Sequence, residues 1–183
     1  MAAVAGLLLL AAGAGATTLV EISGDEQIRQ SQTIFRGRVE RIDAARDWSK
    51  PRGPIISTIQ FTPVAVYKGA VAASVTLRFL GGRTADLELK VNGMPQFEVG
   101  KEYILFVSGE SGRACPVVGW TGGSLGVSRK AGAEDSVPVT APAADWLRHT
   151  SIARDRAVMP ASLGLAKFEA LLREHIAEVG ARK

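Results

Sequence analysis

The sequence predicts a mainly β fold, a small antiparallel barrel with a helical segment before it and an amphipathic helix after it. Three observations carry this: short β-type runs succeed one another from Thr33 to Val127, Gly, Pro and Asn separate them, and a helical repeat of apolar residues closes the chain. Turn signals at such short spacing belong to barrels and sandwiches rather than to parallel sheets.

The first sixteen residues, MAAVAGLLLLAAGAGA, carry no charged side chain and have an apolar stretch from Val4 to Leu10. A membrane-crossing helix needs roughly 20 apolar residues, and here Thr17, Thr18 and Glu21 interrupt too soon. Ala14 and Ala16 form the small-x-small pattern of a signal peptide, so residues 1–16 are expected to be removed and the rest exported, periplasmic or secreted. No cysteine stands at that point to take a lipid. Thr17 to Ser31 is weakly helical, with Leu19, Ile22 and Ile28 as contacts and Ser23 or Asp25 as a cap.

Within the β region, Thr33 to Ile42 alternates Phe35, Gly37 and Val39 with Arg36, Arg38 and Glu40, the period of a half-buried strand. Ile55 to Lys68 places Ile59, Phe61, Ala65 and Tyr67 on one side, and Pro63 within it marks a bulge or an edge. Val75 to Leu80 follows. Leu87, Leu89 and Val91 are expected to face inward from the next strand, bounded by Gly81-Gly82 and Asn92-Gly93. Tyr103 to Val107 reads as buried on both faces, and Cys115 to Trp120 and Leu125 to Val127 complete the series. Glycines 69, 81, 82, 93 and 100 are read as turns with positive φ, and Met94, Pro95 and Phe97 as a loop packed over the barrel.

Residues 131–160, rich in Ala, Pro, Asp and Ser, are expected to form a surface linker between a barrel domain over 17–130 and a helix within 161–183. Ser162 is the expected N-cap of that helix. Leu165, Phe168, Leu172, Ile176 and Val179 form its apolar stripe, which needs the barrel as partner, and Gly180 ends it.

The net charge of +4 is spread among interleaved acids, so it is read as solubility, and nucleic acid is not expected as a partner. Cys115 is the only cysteine, which excludes an internal disulfide and reads as a buried small hydrophobe. Trp120 reads as core or rim. The two histidines, His149 and His175, lie in separate segments without metal-ligand spacing, and His175 on an amphipathic helix is expected to be solvated or half-covered. No serine triad is expected, Cys115 before Pro116 lacks an electropositive setting, and Asp86 with Glu88 reads as solvated. The chain is therefore read as not an enzyme, with no metal, no cofactor and no catalytic residue.

An ordered set of pieces carries a resemblance: Ile34-Phe35-Arg36-Gly37-Arg38-Val39, Val66-Tyr67-Lys68-Gly69, Arg78-Phe79-Leu80-Gly81-Gly82, Val91-Asn92-Gly93-Met94-Pro95, Phe97 through Phe106, and Val118-Gly119-Trp120. In this order they resemble an exported bacterial β-domain family of unassigned function, sometimes found beside matrixin-like proteases. That family looks netrin-like, so the resemblance implies a five-stranded OB-like β-barrel. The chain departs from the pattern after Trp120, where Thr121 to Gly126 replaces the expected Gln-Gly pair and aromatic-basic strand.

Together these readings make the chain an exported, non-catalytic binding or accessory module of the bacterial envelope, expected to be a monomer. A protease-inhibitor-like domain acting through a loop is one alternative, although Thr17 lacks the cysteine amine by which netrin-like inhibitors reach a metal; an enzyme of unrecognised type is another. The candidate binding residues are Arg36, Arg38, Arg78 and Lys90. Arg36 and Arg38, two apart on a strand, leave the same face, and Arg78 and Lys90 share that outward parity. In register they would form a basic patch for an acidic protein or an anionic envelope polymer.

Overall fold

Alternating side chains build the centre of the molecule. A computed structural model describes residues 22–47, 49, 52–110, 113–148 and 159–182; the expected signal peptide, Leu19 and His149 lie outside them. Strand β1 (Thr33–Arg46) and strand β2 (Ile55–Lys68), 14 residues each, pair antiparallel along their length. Strand β3 (Val75–Leu80) adds to β2, β6 (Glu102–Val107) adds to β1, and β7 (Ser124–Gly126) adds to β6. The result is a five-stranded antiparallel sheet in the order β3-β2-β1-β6-β7. Between β3 and β6 a two-residue hairpin forms from β4 (Gly82–Arg83) and β5 (Glu88–Leu89).

The expected mainly β, antiparallel architecture is present, but no closed barrel is found: β3 and β7 are the sheet edges, and among the described residues no ladder joins them. The segment after β6 makes one isolated bridge, Val117 to Val107, and one backbone bond to β3, from Leu80 N to Ala114 O at 2.7 Å. Pro116 in that segment has no N–H to extend the pairing. Likewise Leu87 is exposed and only Glu88 and Leu89 form a ladder in the predicted Leu87–Val91 strand.

Pro63 does sit at a bulge. The register slips between the Arg36–Ala65 and Gly37–Pro63 pairs and again around Tyr67, so Tyr67 turns away from Phe61 and packs on the opposite face of the sheet. Each bulge adds a residue and reverses the parity beyond it; this overturns the expected single face for Ile59, Phe61 and Tyr67.

Both sheet faces are covered, which is why β6 is buried throughout. Tyr103, Leu105 and Val107 join Phe35, Phe61 and Phe79 on the inner face, while Ile104 and Phe106 face the helices. Helix α1 (Gly24–Gln30) starts at Ser23, whose Oγ accepts from Glu26 N at 3.2 Å. It crosses helix α2 (Ala141–Leu147) so closely that a Cβ on Gly24 would lie 2.4 Å from Pro142 O. The expected linker over 131–160 is thus partly structure: strand β8 (Ser136–Pro138) and α2 form within it, with Trp146 and Leu147 fully buried.

Strand β9 (Ser162–Gly164) pairs with β8, so Ser162 belongs to a strand and helix α3 (Leu165–Ala181) begins only after Gly164. The helix also runs through Gly180, its expected stop, to Ala181, while the predicted apolar stripe holds. Leu165, Phe168, Leu172 and Val179 are buried against the sheet and α2, and Ile176 packs beside them. At roughly 1.5–3 kcal/mol per buried large side chain, this stripe is a principal source of stability.

Candidate functional site: two clefts and a buried carboxylate

The four predicted binding residues go to three different places. Arg36 and Arg38 leave the same face of β1 as expected, but it is the face that the helices cover, and they converge on Glu102, which the register sets opposite Arg38. Arg38 Nη2 lies 3.1 Å and Arg129 Nη2 2.8 Å from the Glu102 carboxylate, with Arg36 Nη1 at 3.7 Å. The Glu102 side chain is 2% exposed. Burial opposes its ionisation, yet the close guanidinium of Arg129, the hydrogen bond from Arg38 and the charge of Arg36 outweigh it, holding the carboxyl below its ordinary range. The Arg129 contact to Oε2 is oblique for a hydrogen bond, so its attraction is mainly between charges.

Arg36 also reaches Glu169 of α3 at 3.3 Å, and Tyr67 Oη donates to the same Glu169 oxygen at 2.6 Å. Burial and the Glu169 carboxylate hold the Tyr67 phenol protonated far beyond its ordinary range. Arg173 covers the Tyr67 ring at 4.8 Å. This is an ion network that fastens α3 to the sheet, and it removes Arg36 from any solvent-facing patch. Sequence reasoning missed Glu102 because its run, Glu-Tyr-Ile-Leu-Phe-Val, gives no sign that arginines from β1 and from residue 129 would meet it.

Arg78 pairs in the ladder with Thr58, which faces Asp43, seven residues along β1 from Arg36. Lys90 stands just past the β4–β5 hairpin, 3.6 Å from Glu88. Neither therefore joins the arginines at Glu102. Each borders a cleft instead.

Lys90 is on the rim of a cleft of about 590 Å³ between the inner face of the sheet and the segment from Val91 to Phe97, which we call the flap. Ile42, Ile59, Phe79 and Leu89 give it an apolar floor, Val91 adds apolar surface from the flap, and Arg83, Glu88, Lys90 and Gln96 form a polar rim. The flap is held at three points. Gly93, at φ 77°, completes the Asn92-Gly93 turn and its carbonyl accepts from Thr121 N at 3.2 Å. Met94 is buried, and Phe97 places its ring against Phe79 at 5.1 Å, Phe61 at 5.4 Å and Tyr103 at 4.9 Å. Tyr103 Oη in turn accepts from Glu98 N at 3.1 Å. The expectation of a loop packed by Met94, Pro95 and Phe97 thus holds, and Trp120 lies partly buried beside the same core.

Arg78 borders a second cleft, about 700 Å³, along the outer edge of β3. Its opposite wall is made of Val107 to Glu110 with Arg113, Ala114 and Pro116. Cys115 is buried in the inner core behind it, where burial pushes the thiol up to about 11.

His175 is not solvated: at 1% exposure it lies flat against Trp146, ring centroids 5.3 Å apart. Its Nε2 meets Asp25 Oδ1 at 2.7 Å, which a carboxylate can only accept, while Nδ1 has no hydrogen-bond partner and stands 3.5 Å from Glu178. The helix periodicity allowed this face to be covered, but α2, read as linker, was the missing lid. Among the described residues no three His, Cys, Asp or Glu side chains gather to hold a metal, and no helix is long and apolar enough to cross a membrane. No family model matches the chain, and no curated protein matches it.

Proposed function

We propose that the chain is an exported, non-catalytic binding module of the cell envelope, built on an open, OB-like and netrin-like variant of the β-barrel, which takes its partner in the cleft beneath the flap. The cleft itself is the observation that carries this reading. Its volume of about 590 Å³ falls within the range of roughly 300–1,000 Å³ of ligand sites, and it combines an apolar floor with a few polar groups at the rim. The aromatic pinning of Phe97 adds preorganisation, since a flap already fixed loses little entropy on binding.

The barrel relationship is supported by β1, which pairs with β2 on one side and β6 on the other, and by the Leu80–Ala114 bond that begins to draw the edges together. Export is supported by the uncharged apolar start and the Ala14-x-Ala16 pattern. Amino-terminal sequencing of protein from an envelope or culture fraction should begin at Thr17; retention of Met1 would contradict export.

Binding is tested by quantitative capture from a native envelope extract on immobilised wild type and on Ile42→Trp, which fills the floor. The reading expects a protein or anionic polymer held by the wild type and lost from the folded variant. Equal capture by both would remove the cleft as the site.

A further inference from the structure

We propose that the free edge of β3 accepts an extended peptide segment of a partner protein as an added strand, with an acidic side chain of that segment opposite Arg78. This extends the binding-module reading to a named class of partner, and it concerns a different cleft from the one beneath the flap.

Backbone parity sets the edge. Gly81 N donates back to Ile55 O at 2.8 Å, whereas Leu80 N donates outward to Ala114 O at 2.7 Å. In an antiparallel ladder the direction alternates residue by residue, so Thr76 and Arg78 share the outward sense of Leu80. Among the described residues their outward N–H and C=O groups have no backbone partner. They open on the cleft of about 700 Å³, which the Leu80–Ala114 bond closes at one end. Ser108 on the far wall adds a buried Oγ that has no hydrogen-bond partner.

The backbone selects the form of the occupant: the outward N–H and C=O groups of Thr76 and Arg78 are met by an extended strand laid beside β3, in a slot lined on its far side by Val107 to Glu110, Arg113, Ala114 and Pro116. Charge selects the composition. Arg113 on that wall is matched by Glu110, while Arg78 is exposed and without an ion-pair partner among the described residues. A residue placed opposite Arg78 leaves the sheet on the same outer face, so a carboxylate there completes the pair. Its neighbours along the strand point inward towards Leu77 and Phe79 and are therefore apolar. The part of β2 beyond Phe61 that β3 leaves uncovered carries Pro63 and a bulge, the devices that block strand addition.

The test is selection of a displayed library of short peptides that alternate valine with randomised residues, followed by affinity measurement on the synthesised winner. Enriched peptides should carry Asp or Glu at a randomised position. Thr76→Pro, which removes an outward N–H and leaves the β2 ladder intact, should weaken binding about tenfold or more, and Arg78→Glu should shift the preference to Lys or Arg. Bound peptide should also protect the Thr76 and Arg78 amides from hydrogen exchange. The proposal is overturned if no peptide is enriched, or if winners bind folded Thr76→Pro and Arg78→Glu as tightly as wild type. A concentration-dependent dimer of the wild type that Thr76→Pro abolishes would assign the edge to a second copy and overturn it equally. Any of these results leaves the flap cleft to be judged by its own capture experiment.

Discussion

His175 Nε2 donates a 2.7 Å hydrogen bond to Asp25 Oδ1, two residues 150 positions apart in the sequence. Arg182 reaches the other oxygen of that carboxylate at 3.1 Å, and Trp146 lies flat under the imidazole. One contact thus joins three helices, with α1 giving the carboxylate, α3 the imidazole and α2 the indole. Asp25 also sits in the first turn of α1, where the helix dipole favours its negative charge.

Replacing His175 with Ala removes this joint and leaves a cavity against Trp146, so a loss of about 2–4 kcal/mol is expected. Asp25→Asn keeps an acceptor for Nε2 and should cost only about 1 kcal/mol. Urea unfolding of the two variants checks both the size and the order.

Glu102 should govern stability in acid. Its folded-state pKa is depressed, so its contribution is present above the unfolded carboxylate value of about 4.3 and is lost as pH falls through the folded value. Glu102→Ala, which leaves Arg36, Arg38 and Arg129 without their shared counter-charge, should cost about 3 kcal/mol at neutral pH. The gap between wild type and variant should shrink below about pH 4. Denaturant titrations across that range measure it.

The Cys115 thiol, raised from 9.0 to about 11 by burial, should resist alkylation in the folded protein. The shift alone lowers the thiolate fraction at pH 8 about a hundredfold relative to the unfolded chain. Reaction with a thiol reagent in buffer and in urea reads the ratio. Cys115→Ala should change stability by no more than ~1 kcal/mol and leave the oligomeric state unchanged, seen on non-reducing gels and by sedimentation.

Trp146 tests whether the segment read as linker is core. Trp146→Ala should lose about 3–5 kcal/mol. Trp146→Phe should lose less, because the indole Nε1 it removes has no hydrogen-bond partner. Thermal or urea melts separate this from a surface segment, where both changes would be nearly neutral.

What the sequence made legible is what repeats locally. The alternation in Thr33 to Ile42, the doubly buried Tyr103 to Val107, the bulge at Pro63 and the positive φ at Gly69, Gly81, Gly82, Gly93 and Gly100 each rest on neighbouring residues. What depended on distant partners was hidden. Residues 141–147 have only two large apolar side chains, Trp146 and Leu147, so it is contacts such as those of Trp146 with Phe168 and His175 that reveal them as a core helix. Arg36 and Arg38 looked like a surface pair because strand parity gives direction but not what waits there, and Glu102 waits there. Ser162 has the chemistry of an N-cap, yet its pairing with Pro138 draws it into a strand.

The central claim, that the cleft beneath the flap holds the partner, is tested most directly by photo-cross-linking in the native cell. A photoreactive amino acid is placed at Gln96 on the cleft rim and, as control, at Ala166 on the exposed face of α3. The account predicts a discrete cross-linked species from position 96, absent from position 166 and lost when Ile42→Trp fills the floor. No adduct at position 96, or the same adduct from both positions, would contradict it.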